Sequence, residues 1–177
     1  MALNQFSRTQ LLLGQESMDL LANATVAVFG IGGVGGYTVE ALARSGVGHF
    51  VLVDDDKVCL TNINRQIIAT RSSVGKYKVD VMKERILDIN PKAEVEVYKC
   101  FYLPENADDF DFSKYSYVVD AVDTVTAKIE IIMRAKRAMC RSSAAWELET
   151  SWTRRSSAWR ISIKRTCVRW QRSCGVR

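Results

Sequence analysis

The stretch AVFGIGGVGG, residues 27–36, decides the fold. A short apolar, β-branched run that begins at Thr25 ends abruptly in Gly30, Gly32, Gly33, Gly35 and Gly36. Such a run reads as a buried strand of a parallel sheet. Glycines after it let the backbone turn tightly and come close to a ligand. The segment VGGYTVEALARSG comes next, with Val34, Val39, Leu42 and Ala43 on one helical face and Gly46 as a stop. The N-terminus of that helix offers unpaired amides and a partial positive charge, which together suit a phosphate. HFVLVDDD, residues 49–56, is a second strand that ends in three carboxylates. Strand, glycine turn, helix and strand make a right-handed βαβ unit.

The same reading extends in both directions. Upstream, Leu11, Leu12, Met18 and Leu21 recur at near-helical spacing, which predicts one N-terminal helix over residues 7–21 packed on the body. Downstream, Val79, Met82, Ile86 and Ile89 predict a helix over residues 76–89, closed by Asn90-Pro91. AEVEVYKC alternates as a third strand, YSYVVDAVD contains a fourth, and residues 125–135 form a further helix. The expected class is therefore α/β, a Rossmann-like, doubly wound and mainly parallel sheet with an N-terminal helix.

Composition sets wide bounds. At 177 residues, 47% hydrophobic and 25% charged, the chain suits one domain, or one domain and a tail. No apolar stretch reaches the roughly 18 residues of a membrane helix, and MALNQFSRTQ lacks a signal-peptide layout, so a cytoplasmic protein is expected. Cys59, Cys100, Cys140, Cys167 and Cys174 form no C-x-x-C pair, which indicates neither a zinc cage nor a disulfide framework. Reduced and mostly buried thiols are expected, with Cys59 a small buried filler. His49, the lone histidine, opens a buried strand and reads as structural.

A glycine loop alone does not choose between a dinucleotide cofactor and a mononucleotide. Asp54 ends the second strand about 20 residues beyond the loop, where an acid meets ribose hydroxyls. Up to that point an NAD-dependent dehydrogenase fits equally well. The difference lies between DDDKVCLTNINRQ and the start of the next helix, where Asp56, Asn62, Arg65 and Lys78 crowd polar and cationic groups behind the acid. A nucleoside triphosphate needs such cations to neutralise phosphate charge. Asp120 and Asp123, in VVDAVDT, lie past the fourth strand at the end of the sheet where ligands bind, and one carboxylate there suits Mg²⁺.

Taken in order and spacing, FSRTQLLLG, VFGIGGVGGYTVEALARSGVG, LVDDDKVCLTNINRQ, VGKYKVDVMKERILDINP and VVDAVDTVTAKIE resemble the ThiF/MoeB/HesA family, bacterial relatives of ubiquitin-activating enzymes. The resemblance covers almost all of residues 1–137 and, within the family, is greatest to the tRNA threonylcarbamoyladenosine dehydratase group. It implies binding of ATP and Mg²⁺, attack of a substrate carboxylate on the α-phosphate, and capture of the activated carbonyl. In the dehydratase group the carboxylate belongs to threonylcarbamoyladenosine in tRNA and the capture closes a ring. The other activity in the family is adenylation of the C-terminus of a ubiquitin-like sulfur carrier, and an inactive nucleotide-binding remnant is a third reading.

The resemblance also implies roles for residues. Gly30, Gly32, Gly33 and Gly35 approach the phosphates, Asp54 takes the ribose with Asp56 beside it, and Asn62, Arg65 and Lys78 contact the triphosphate. Asp123 becomes the magnesium ligand. Arg8 matches an arginine offered to the other subunit's site, so a homodimer is implied, and a cysteine desulfurase or sulfur acceptor is a further possible partner.

From residue 138 the character changes. Residues 1–137 carry 16 Lys and Arg against 18 Asp and Glu, whereas residues 138–177 carry 9 against 2 and hold all four tryptophans. No sustained period runs through this tail, and one reading of it is an RNA-binding arm, in which aromatics stack bases and arginines hold phosphates. The genetic code offers another. Joining the third base of each codon to the next two lets AAWELETSWTRR become S-M-G-A-G-N-K-L-D-P-T, which resembles the dehydratase group. The expectation is an incomplete ATP-binding adenylating domain over residues 1–137. A frameshifted, non-native basic tail over 138–177 would replace a fifth strand and a glycine loop.

Overall fold

The computed structural model describes residues 4–145, 151–155 and 158–162. Five parallel strands form the sheet: β1 (Thr25–Phe29), β2 (His49–Val53), β3 (Glu94–Tyr98), β4 (Tyr117–Asp120) and β5 (Arg141–Ala144). Their order is β3-β2-β1-β4-β5, so β1 lies at the centre and the chain reverses direction across the sheet between β1 and β4. The C-terminal ends at that reversal are where open α/β sheets hold ligands.

Side chains of a strand alternate between the two faces of its sheet. Val26, Val28, Phe50 and Leu52 meet helices α3 (Gly35–Ser45) and α4 (Lys78–Ile89) through Val39, Ala43, Val79, Met82 and Ile86. Ala27, Phe29, Val51 and Val53 meet helix α5 (Val125–Arg137) through Ala127, Ile131 and Ala135. Aromatic side chains complete this second face: the Phe29 ring lies 4.8 Å from Tyr102, edge-on, and stacks on Phe112 at 5.7 Å. This is the expected doubly wound arrangement. Gly46 ends α3 at φ 98°, as its position required.

Three expectations need correcting. The N-terminal helix is two helices, α1 (Ser7–Leu13) and α2 (Gln15–Asn23), because Gly14 takes φ 80° between them. Of the leucines thought to pack inward, Leu11 and Leu12 are each 86% exposed, and Met18 alone in these helices is buried. Cys59 is exposed, and Cys100 and Cys140 are half-buried, so the described thiols are free but not core residues.

The third correction concerns the fifth strand, which is present. Residues of RSSA pair in register with β4, Tyr117 opposite Arg141 and Asp120 opposite Ala144. A strand ladder is made of backbone groups, which every residue except proline supplies. These side chains are largely exposed, so no apolar period announced the strand. Residues 1–146 form one compact unit and 147–177 another. In the second, β6 (Ser151–Arg155) pairs antiparallel with β7 (Ala158–Ser162). Trp146 and Trp170, on which part of the frameshift reading rests, lie outside the described residues.

Candidate nucleotide site

The glycine loop starts where β1 stops. Gly30 takes φ 90° and donates its amide to the Val53 carbonyl at 2.8 Å, so the turn is fastened to the end of β2. A β-carbon on Gly30 would lie 2.5 Å from the Ala121 carbonyl oxygen, and one on Gly35 would lie 1.8 Å from the Gly30 carbonyl oxygen. Only glycine allows this approach of three backbone segments. Gly32 is different: its nearest neighbour in that sense is Gln66 Nε2 at 3.9 Å. The space above Gly32 is therefore left for something other than the protein's own backbone. That is the shape a phosphate chain needs at the N-terminal end of α3.

Asp54 is the acid beside this loop. Its Oδ2 accepts the Ile31 amide at 2.6 Å and its Oδ1 accepts the Asp56 amide at 2.9 Å. Burial pushes the Asp54 carboxyl above the usual carboxylate range, against the pull of the Ile31 amide and the Lys78 ammonium. Lys78 Nζ donates to Asp56 Oδ2 at 2.6 Å and stands 3.9 Å from Asp54 Oδ1. Its side chain is only 6% exposed. A buried ammonium is held between two carboxylates, which offset its loss of hydration.

Residues 56–78 reach this arrangement by closing on themselves. Val58 donates to the Lys76 carbonyl at 2.9 Å, Gly75 to Val58 at 2.8 Å and Lys78 to Asp56 at 3.0 Å. These bonds carry the first turn of α4 back to the end of β2, while Val58, Ile68 and Ala69 anchor the loop in the core.

The structure thus brings together Gly30, Gly32, Gly35, Asp54, Asp56 and Lys78. Gly33 continues the loop from Gly32, while Asn62, Arg65, Asp123 and Arg8 are placed differently. Asn62 Oδ1 accepts the Cys59 amide at 2.9 Å, within its own short helical turn. Arg65 is exposed and donates to the Thr61 carbonyl and to Asn64 Oδ1, each at 3.2 Å. Asp123 is exposed three residues after β4, and Arg8 is exposed on α1. A cleft of about 610 Å³ bordered by Phe110, Phe112, Arg134 and Arg137 contains none of these residues.

Gln66 and the partner of Asp120 were missed, and Asp120 itself ends β4 instead of lying past it. Gln66 is buried below the loop with its Oε1 unpartnered among the described residues. It stood unremarked in NINRQ, and no spacing rule singles it out. Asp120 and Lys128 form a buried ion pair behind the loop. Lys128 was detectable, since it shares the buried face of α5 with Ile131 and Ala135, at i, i+3 and i+7.

A triphosphate fits this set: a cradle that β-carbons would fill, a helix N-terminus, an acid tied to the loop and a buried cation. Hard oxygen donors, Asp123 and the cluster Asp54, Asp55 and Asp56, suit Mg²⁺. No helix among the described residues is long and apolar enough to cross a membrane.

Comparison with known proteins gives the chain's family. The chain is 52% identical over 130 residues to tRNA threonylcarbamoyladenosine dehydratase of Bacillus subtilis (strain 168), covering 73% of this chain and 51% of that protein. Against the Escherichia coli (strain K12) dehydratase the identity is 46% over 133 residues, covering 75% and 50%. The crystal structure of the E. coli enzyme in complex with ATP superposes with a TM-score of 0.77 at 44% identity, covering 79% of this chain and 58% of that one. The chain spans about half the length of the curated relatives it matches. The ThiF family profile matches residues 6–156, and with sequence and architecture in agreement, the chain belongs to the ThiF family.

Proposed function

We propose that this protein is the nucleotide-binding part of an ATP-dependent enzyme that adenylates a carboxylate, that of threonylcarbamoyladenosine in tRNA. The observation that carries the proposal is the glycine cradle with its acid and cation: Gly32 open above α3, Asp54 bonded to the Ile31 amide, and Lys78 buried beside them. The similarity to the dehydratases supplies the substrate class.

In this reading ATP, when bound, supplies the phosphorus that a carboxylate oxygen attacks as pyrophosphate leaves. The chain's own groups do the positioning. Amides at the start of α3 orient the phosphates, and Asp54 accepts from the ribose hydroxyls. Lys78, Asn62 and Arg65 face the triphosphate, the last two after turning away from their present partners. Lys78, whose own side chain is buried, offsets phosphate charge. Asp123 is the proposed magnesium ligand. Arg8 acts across a homodimer, and the protein is placed in the cytoplasm.

The tail belongs to the same proposal. Residues 138–177 are read as out of frame, and the selected protein as a longer enzyme in which the activated carbonyl is captured. Exchange of labelled pyrophosphate into ATP, measured on the full chain with and without tRNA bearing threonylcarbamoyladenosine, tests the activity. Stimulation by that tRNA supports the reading. Stimulation by a ubiquitin-like carrier protein instead, or ATP binding with no exchange under either, overturns it.

A further inference from the structure

The nucleotide site as described makes no use of the pair formed by Asp120 and Lys128. Asp120 ends β4 with no exposed surface, and Lys128, in the first turn of α5, is 2% exposed. Lys128 Nζ donates to Asp120 Oδ1 at 3.1 Å and to the Ala145 carbonyl, just past β5, at 2.7 Å. Asp120 Oδ1 also accepts the Val122 amide at 3.2 Å, while its Oδ2 has no hydrogen-bond partner among the described residues. One charge pair therefore joins β4, α5, the end of β5 and the turn after β4.

Packing alone does not call for this. Two charges taken out of water are costly, and apolar side chains of similar volume commonly serve a core as well or better. What an ion pair adds is direction. The bond to the Val122 amide folds the chain tightly after β4, and inside that fold is Ala121, whose carbonyl forms the wall 2.5 Å from a β-carbon on Gly30. The residue after Val122 is Asp123. Asp123 thus follows a turn that is held from behind by Lys128, whereas the glycine loop is fastened separately, through Val53 and Asp54.

We infer that Lys128 is a positioning residue, which acts through Asp120 to set the turn over residues 121–123 and so aims Asp123 at the metal of a bound metal–nucleotide. This inference rests on the reading of Asp123 as the magnesium ligand. Lys128 touches neither metal nor nucleotide itself.

The test is ATP binding to the full chain, measured by calorimetry in MgCl₂ and again in EDTA, with circular dichroism as the check on folding. Wild type, Asp123→Asn, Lys128→Met and Asp120→Asn are compared by the ratio of the two dissociation constants. The expected result is that Lys128→Met lowers the magnesium-dependent gain about tenfold or more, as loss of a supporting residue behind a metal ligand does. Binding in EDTA should stay within about threefold of wild type, because the bonds that hold the loop to Asp54 and Val53 are untouched.

A folded Lys128→Met protein with an unchanged ratio, or one that weakens both dissociation constants equally, overturns the inference. Should Lys128→Met not fold, Asp120→Asn decides, since it keeps the shape and removes the charge that holds Lys128. A reduced ratio then supports the inference and a wild-type ratio overturns it. If wild type and Asp123→Asn share the same ratio, the reading of Asp123 fails and the inference with it. If Asp123→Asn abolishes the gain and the Asp120 and Lys128 variants retain it, the inference alone fails.

Discussion

A methyl group at Gly35 has nowhere to go, since the Gly30 carbonyl oxygen would be 1.8 Å away, whereas one at Gly32 meets nothing closer than 3.9 Å. The two substitutions therefore separate folding from binding. Gly35→Ala is expected to cost about 3 kcal/mol or more, or to prevent folding, read as the urea midpoint. Gly32→Ala should leave that midpoint nearly unchanged and, if the proposed site is right, weaken ATP about tenfold by filling the open space beside the loop. Lys78→Met removes the cation between Asp54 and Asp56. Asp56 is 65% exposed, so the loss is expected to be moderate, about 2 kcal/mol in a urea melt. Nucleotide affinity should fall with it. At this scale the glycines, Asp54 and Lys78 were legible because each is forced by local geometry or by charge that needs a partner. Gln66 was not, because its burial depends on residues 58–69 folding over the loop, which no short spacing records.

Elements are tied to one another by a few polar links. Glu40 on α3 accepts from Arg85 on α4 and from Arg44 one turn along α3. The Arg85 hydrogen bond, more than any other group, holds the Glu40 carboxyl below its ordinary value of 4.5, against the effect of burial. A carboxylate with a depressed pKa adds stability that is fully present above the ordinary value and is lost as the pH falls through the lowered one. Thermal melts below about pH 4 should therefore decline more steeply in wild type than in Glu40→Gln, which at pH 7 should cost about 1 kcal/mol. Arg85 is partly exposed, which limits the figure.

Helices α3, α4 and α5 were legible because each sets a buried stripe against the sheet. The break at Gly14 was not anticipated, since the leucines on both sides keep a helical spacing even where they face solvent. Spacing reports a face and does not say that anything covers it. Strand β5 was missed for the opposite reason. Its register with β4 is set by backbone bonds, and polar side chains on an edge leave no pattern.

For the whole molecule, the parallel, doubly wound class was legible from one βαβ unit and the chirality rule, whereas the strand order β3-β2-β1-β4-β5 comes from the structure. What that unit could not give is the state of the C-terminal part. The family profile extends to residue 156, and the first compact unit ends at 146, both beyond the change of composition at 138. Resequencing the coding DNA across codons 136–177 addresses the frame directly. The expected outcome is a single base gained or lost, restoring the shifted reading. An unaltered frame in independent isolates would mean that the basic tail is the protein's own.

The place of β1 has a consequence for how a ligand is felt by the rest of the chain. It is paired on both sides, with β2 and β4, and each of those is paired again on its far side. Amide protons of such a central strand exchange with solvent only when the sheet opens as a whole, later than those of any edge. The glycine loop grows directly from its last residue, so a nucleotide seated there binds the closed sheet and not the opened one. Saturating ATP should therefore delay deuterium entry at residues 26–29 by the same factor that it adds to global stability. Protection confined to the loop, with the strand exchanging as before, would show that the cradle opens independently of the sheet that carries it.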